Sequence, residues 1–183
     1  MSLGHRHKSA ILIGFMGAGK SSVGKALAGL LHWQFIDLDQ QIQLREKRTI
    51  AEIFRDSGEP AFRRVETAAL RSTLAEISSS SGAVVALGGG AFAQQENQTI
   101  LRDKRYPVIF LDAPVEELRQ RCFDEGAVRP LFQNENQFRQ LYESRREAYM
   151  KADFRVDTSG KTVAQVTAEV AALLGQDGPN ASR

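Results

Sequence analysis

The segment GFMGAGKS at residues 14–21 constrains this chain more than any other stretch of it. It is a complete G-x-x-x-x-G-K-[ST] loop, and it follows directly on the apolar run SAILI. Glycines at these positions permit a backbone that turns successive N–H groups inward, which makes a nest for anionic oxygens. A helix expected over residues 22–31 adds the positive end of its dipole. Lys20 supplies a point charge for the β- and γ-phosphates, and the Ser21 hydroxyl is placed to ligate Mg²⁺. Gly17, Ala18, Gly19 and Ser22 belong to the same triphosphate-binding loop. The bland alternative is a glycine-rich turn with an incidental lysine. A chance match somewhere in such a chain is roughly one in a hundred, and the strand-before, helix-after context lowers that further. The loop implies binding of a nucleoside triphosphate and leaves ATPases, GTPases and small-molecule kinases open.

The rest of the chain alternates short apolar runs with helical periods. Residues 9–14, 34–37, 83–87, 108–111 and 154–157 read as five strands whose continuous apolar character suits a parallel sheet covered on both faces. Between them, Phe62, Val65, Ala69, Thr73 and Ile77 share one helical face, and Val163, Val166, Val170 and Leu173 share another. Strand–helix alternation with right-handed crossovers predicts a three-layer α/β/α sandwich. In such sheets ligands bind beyond the carboxyl ends of the strands.

With 183 residues the chain suits one domain, expected over 9–174, between a polar lead (1–8, with His5 and His7) and a loop-like tail (175–183). The formal charge of +2 is too even for a protein that binds nucleic acid through bulk charge. One cysteine, Cys122, excludes an intrachain disulfide and reads as a helix residue without a redox role. No run approaches the ~20 apolar residues of a membrane span, and the N-terminus lacks a signal-peptide core, so a cytoplasmic protein is expected.

Several other groups follow the strands. The second strand ends in Asp37-Leu38-Asp39; with strand periodicity both carboxylates point into the crevice, one to hold Mg²⁺ through water and one to accept a proton from a substrate hydroxyl. A solvated strand end or helix cap is the competing reading of D-x-D. AFRRVE at 61–66 opens an amphipathic helix whose arginines face either ligand or solvent. The third strand runs into Gly88-Gly89-Gly90, whose use is close backbone approach by a ligand, with a flexible connection as the alternative. VRPL at 128–131 sits in a polar stretch that reads as a mobile lid over about 124–136, and YESRREAY at 142–149 puts arginines on a helix before the fifth strand.

The order of these motifs (GFMGAGKSSVG, IDLD, AEIF, FRRVE, LGGG, RPL, R-x-x-x-Y and VDTSG) resembles shikimate kinase over residues 9–174. The resemblance implies a nucleoside-monophosphate-kinase-like P-loop fold with a five-stranded parallel sheet in the order 2-3-1-4-5. It implies transfer of the ATP γ-phosphoryl group to the 3-hydroxyl of shikimate, in chorismate and aromatic amino-acid biosynthesis, by a monomer. By the same resemblance Lys20 and Ser21 hold phosphates and Mg²⁺, and Asp37 assists the metal through water. Asp39 binds the shikimate hydroxyls and orients or deprotonates the one attacked. Arg63 and Arg145 grip the carboxylate, Gly88, Gly89 and Gly90 wrap the ring, and Phe54 and Phe62 form apolar walls. Arg129 closes over the phosphates. The chain departs from the pattern at Glu147 and Val163, where the family often has proline, and at Cys122, where an adenine-flanking arginine is usual. Arg121 or Arg119 then takes that place, with adenine contacts near 158–162, and the choice of Arg145 over Arg146 rests on the spacing to Tyr149. A gluconate-kinase-like enzyme and an ATP-binding regulator are the rival readings. The first need not combine two carboxylate-gripping arginines with G-G-G, and the second should have lost one of Lys20, Ser21, Asp37, Asp39 or Arg129.

Overall fold

A computed structural model describes residues 9–77, 82–124 and 135–175. Five strands, β1 (Ser9–Ile13), β2 (Gln34–Asp37), β3 (Ala83–Ala86), β4 (Val108–Asp112) and β5 (Phe154–Asp157), form one parallel sheet in the order β2-β3-β1-β4-β5. Every residue of β1, β3 and β4 is buried, as central strands covered on both faces require. The edge strands β2 and β5 keep some residues in solvent. The order reverses around β1: β3 pairs on one side and β4 on the other. That reversal opens a crevice beyond the carboxyl ends of the central strands.

Among the described residues seven α-helices connect and cover the strands: α1 (Lys20–Leu31), α2 (Leu38–Glu46), α3 (Ile50–Glu76), α4 (Gln95–Asp103), α5 (Val115–Asp124), α6 (Glu135–Tyr149) and α7 (Val163–Gly175). Thr49 starts α3 with a reciprocal cap: its hydroxyl accepts from Glu52 N–H at 3.2 Å, and the Glu52 carboxylate accepts from Thr49 N–H at 2.7 Å. Gly58 breaks α3 into two helical halves (φ 77°, ψ 172°), and Pro60, which has no N–H to donate, opens the second. No helix among the described residues is long and apolar enough to cross a membrane.

Five boundaries differ from the sequence reading. α1 begins at Lys20 rather than Ser22, because Gly19 takes the left-handed N-cap conformation (φ 84°, ψ 16°) and frees the next residue to be helical. β1 and β3 each stop one residue early, at Ile13 and Ala86, and β4 runs one further, to Asp112. α7 includes Gly175, and its Val163 is 43 % exposed rather than part of the buried face, since it opens the helix. The largest change concerns D-x-D. Asp37 ends β2 and caps α2, so Asp39 lies in the first turn of a helix and shares no strand face with it.

Candidate active site

Gly17 shows why the phosphate loop needs glycine. Its φ is 77°, and a Cβ there would lie 2.6 Å from the Leu118 carbonyl oxygen and 3.0 Å from Cys122 Sγ. The loop is pinned from below by Phe15, which is 1 % exposed and meets Phe138 and Tyr142 of α6 edge-on at 5.1 and 5.5 Å. Ala18 is buried and Ser22 is exposed in the first turn of α1. Lys20 Nζ donates to the carbonyls of Gly14 (2.9 Å) and Phe15 (3.1 Å), which folds the ammonium over the mouth of the loop. Burial lowers its pKa to about 8, against the opposing pull of the Asp39 and Asp37 carboxylates.

Beside it, Ser21 Oγ donates to Asp37 Oδ2 at 3.1 Å, while Asp37 Oδ1 accepts from the Gln40 N–H at 3.3 Å. A hydroxyl and a carboxylate held together at a phosphate nest are oxygen donors suited to a hard divalent cation that keeps its waters. Among the described residues no group of three His, Cys, Asp or Glu side chains gathers into an all-protein metal cage. Ser21 and Asp37 are thus the oxygen donors that could contact a divalent cation beside the phosphate loop.

Across the crevice the glycine triplet lies against three charged side chains, one per residue. A Cβ at Gly88 would sit 2.5 Å from Asp39 Oδ1, one at Gly89 3.2 Å from Arg145 Nη1, and one at Gly90 2.6 Å from both Arg63 Nη1 and Nη2. Any side chain at the outer two positions would displace a candidate ligand-binding group. Asp39, Arg63 and Arg145 come from α2, α3 and α6, so the loop after β3 is where three distant segments converge. Arg145 is half-buried over the Phe15 ring, 5.7 Å from its centroid, and its partial burial lowers its pKa from the usual guanidinium value.

Arg63 is held on both sides: Nη1 donates to Glu66 Oε2 at 2.9 Å, and Nη2 donates to Glu59 Oε1 at 2.9 Å. Glu66 is 1 % exposed, and burial raises its carboxyl above the usual range despite the guanidinium beside it. Phe62 supports Arg63 from beneath (5.3 Å from the guanidinium to the ring centroid) and stacks with Phe54 at 4.5 Å. Phe62 is 4 % exposed, so it backs the site more than it lines it, and Phe54 keeps partial exposure.

The neighbouring arginines separate cleanly. Arg146 turns away and donates to Asp112 Oδ2 at 3.1 Å, alongside Arg155, so Arg145 alone of the pair meets the glycine loop. Arg121 donates to the Thr158 carbonyl (2.9 Å), the Thr158 hydroxyl (3.1 Å) and the Gly17 carbonyl (3.4 Å), tying the phosphate loop to the 158–162 loop. Arg119 instead faces Glu135 at 3.6 Å and the Phe123 ring. Arg129 lies outside the described residues. Sequence reasoning missed the roles of Glu66, Asp112 and Tyr149. The signals for two of them were spacings, i+3 from Arg63 and i+4 from Arg145; Asp112 carried none beyond its place after a strand.

Comparison with known proteins agrees with this geometry. The family model described as Shikimate kinase matches residues 16–174. A shikimate kinase of Persephonella marina is 37% identical over 163 residues, covering 89% of this chain and 96% of that protein. One from Thermus thermophilus is 42% identical over 166 residues, 89% of this chain and 88% of its own. The solved shikimate kinase from Acinetobacter baumannii in complex with shikimate superposes with a TM-score of 0.81 at 34% identity, covering 91% of this chain and 92% of that one. A gluconokinase from Sinorhizobium meliloti, at 20% identity and a TM-score of 0.63, shares the fold alone.

Proposed function

The chain belongs to the shikimate kinase family, and from that premise we infer how its own side chains divide the transfer of a phosphoryl group from ATP to shikimate. The reaction asks mainly for positioning and electrostatic stabilisation. Residues 9–174 act as one catalytic domain. The phosphate loop, Lys20 and the α1 N-terminus take the triphosphate, and Arg121 with the 158–162 loop borders the adenine. Ser21 and Asp37, the latter through water, would hold Mg²⁺. Bound there, the ion would supply charge neutralisation across the β- and γ-phosphates. Asp39 orients the 3-hydroxyl and accepts its proton. Arg63 and Arg145 grip the carboxylate, the glycine loop wraps the ring, and Phe54 and Phe62 stand behind it. Arg129 closes over the phosphates and meets the charge that develops in transfer.

The observation that carries this division is the glycine triplet, with Asp39, Arg145 and Arg63 each against one of its residues. A proton acceptor and two cations on one loop match an acceptor that carries both hydroxyls and a carboxylate. ADP release from Mg²⁺-ATP with shikimate, set against gluconate, tests the acceptor: shikimate alone should support turnover.

The carboxylate grip gives a sharper test. Each charge-assisted bond is worth ~1.5–3 kcal/mol, so Arg63→Ala or Arg145→Ala should weaken shikimate binding by roughly tenfold to over a hundredfold. ATP affinity should barely change, because both guanidinium groups lie against the glycine loop after β3. Titration of each variant with each ligand separately checks this. Equal weakening for both ligands would mean damaged folding, and no weakening for shikimate would remove the grip.

A further inference from the structure

Tyr149, the last residue of α6, is 1 % exposed, and its ring packs on Phe110 of β4 with centroids 5.1 Å apart. Its hydroxyl donates to the Gly89 carbonyl, and the Arg145 guanidinium lies against the same glycine. The Gly89 carbonyl belongs to a tight turn: Ala91 N–H donates to Gly88 O at 3.0 Å, which closes the loop around Gly89 and Gly90. Gly90 has φ −103° and ψ −12°, near the third position of a type I turn and far from the positive φ of type II.

Types I and II differ chiefly by a flip of the central peptide, and a residue with a side chain at the third position resists type II. Glycine does not, so Gly89-Gly90 leaves the backbone nearly indifferent between the two. Something outside the turn must choose. The peptide is planar and trans, so fixing its C=O on one edge fixes the N–H of Gly90 on the other.

We propose that Tyr149 is a positioning residue that locks the central peptide of the Gly88–Ala91 turn in its type I orientation, so that an N–H and not a carbonyl faces the acceptor. The inference rests on reading the glycine loop and Arg145 as the acceptor surface. A flipped peptide would set a carbonyl dipole against an anionic acceptor. Burial holds the phenol above its ordinary pKa, so it keeps the proton it donates across the working range.

The test is Tyr149→Phe in the full chain, which retains the ring against Phe110. The KM for shikimate should rise about tenfold, the scale of one buried hydrogen bond, with the KM for ATP unchanged. Glycine-selective ¹⁵N NMR should show the Gly90 amide exchange-broadened or doubled in the variant and single in the wild type. An unchanged shikimate KM with one sharp Gly90 signal would overturn the proposal. So would equal rises in both KM values with a lowered melting temperature, which would reduce Tyr149 to a support of the fold. Arg145→Ala, run beside it, separates the two layers. If that variant binds shikimate normally, the acceptor reading fails, while a broadened Gly90 amide in Tyr149→Phe still upholds the lock.

Discussion

Asp39→Asn should lower kcat by about 10²–10⁴-fold, the range for losing a positioned general base, with the fold intact. The substitution preserves shape and removes only the charge and the proton-accepting oxygen. Asp39 is in the first turn of α2, where the helix dipole favours a negative charge, and its carboxylate oxygen reaches the space beside Gly88. A second effect adds to the first. Asp39 contributes the largest charge that holds the Lys20 pKa up against burial, so its loss should push that pKa below about 8 and weaken the phosphate grip near neutral pH. The two contributions separate by pH. Lowering the pH should restore the affinity for ATP in Asp39→Asn without restoring kcat. Coupled ADP release, measured with shikimate saturating and ATP varied, reads both. Normal turnover would exclude Asp39 as the proton acceptor.

What could be read from the sequence was whatever local backbone geometry dictates. The phosphate loop was legible because its glycines occupy fixed places between a strand and a helix, and Gly17 shows that the place leaves no room for a Cβ. The sheet order followed from the family resemblance, and the continuous apolar runs marked the central strands. D-x-D was legible as a pair of carboxylates but not in its geometry. The strand period ends at Asp37, whose side chain caps the next helix, so Leu38 and Asp39 are both already helical. The choice of Arg145 over Arg146 came through the family resemblance, from the spacing to Tyr149, and not from helical period alone. Adjacent residues on a helix point about 100° apart, and only Asp112, brought by β4, shows which of them is taken into an ion pair elsewhere. Glu66 looked like one more charge on an amphipathic helix, because its burial depends on where that helix packs. The kink at Gly58 also had a visible signature, since Gly and Pro two residues apart interrupt a helical period.

Lys20→Met should abolish most of the activity while leaving the unliganded protein at least as stable near neutral pH. The activity side follows from position: Nζ sits over the phosphate loop, on the carbonyls of Gly14 and Phe15. Removing one preorganised donor at developing charge costs ~10²–10³-fold in kcat, and the lost point charge weakens ATP binding in addition. The stability side follows from burial. The folded-state pKa is about 8 against an ordinary value of 10.5, so between those values the unfolded chain holds a proton that the folded chain has released. Stability contributed by this residue therefore rises with pH through that window, and below it the fold carries a buried ammonium. Methionine has a similar length and no charge to bury. Denaturant unfolding of both proteins, run below and above pH 8, should show the variant favoured at the lower pH and the wild type gaining on it at the higher. A variant that is less stable at every pH, with ATP binding retained, would make Lys20 a structural brace for the loop rather than a ligand of the phosphates.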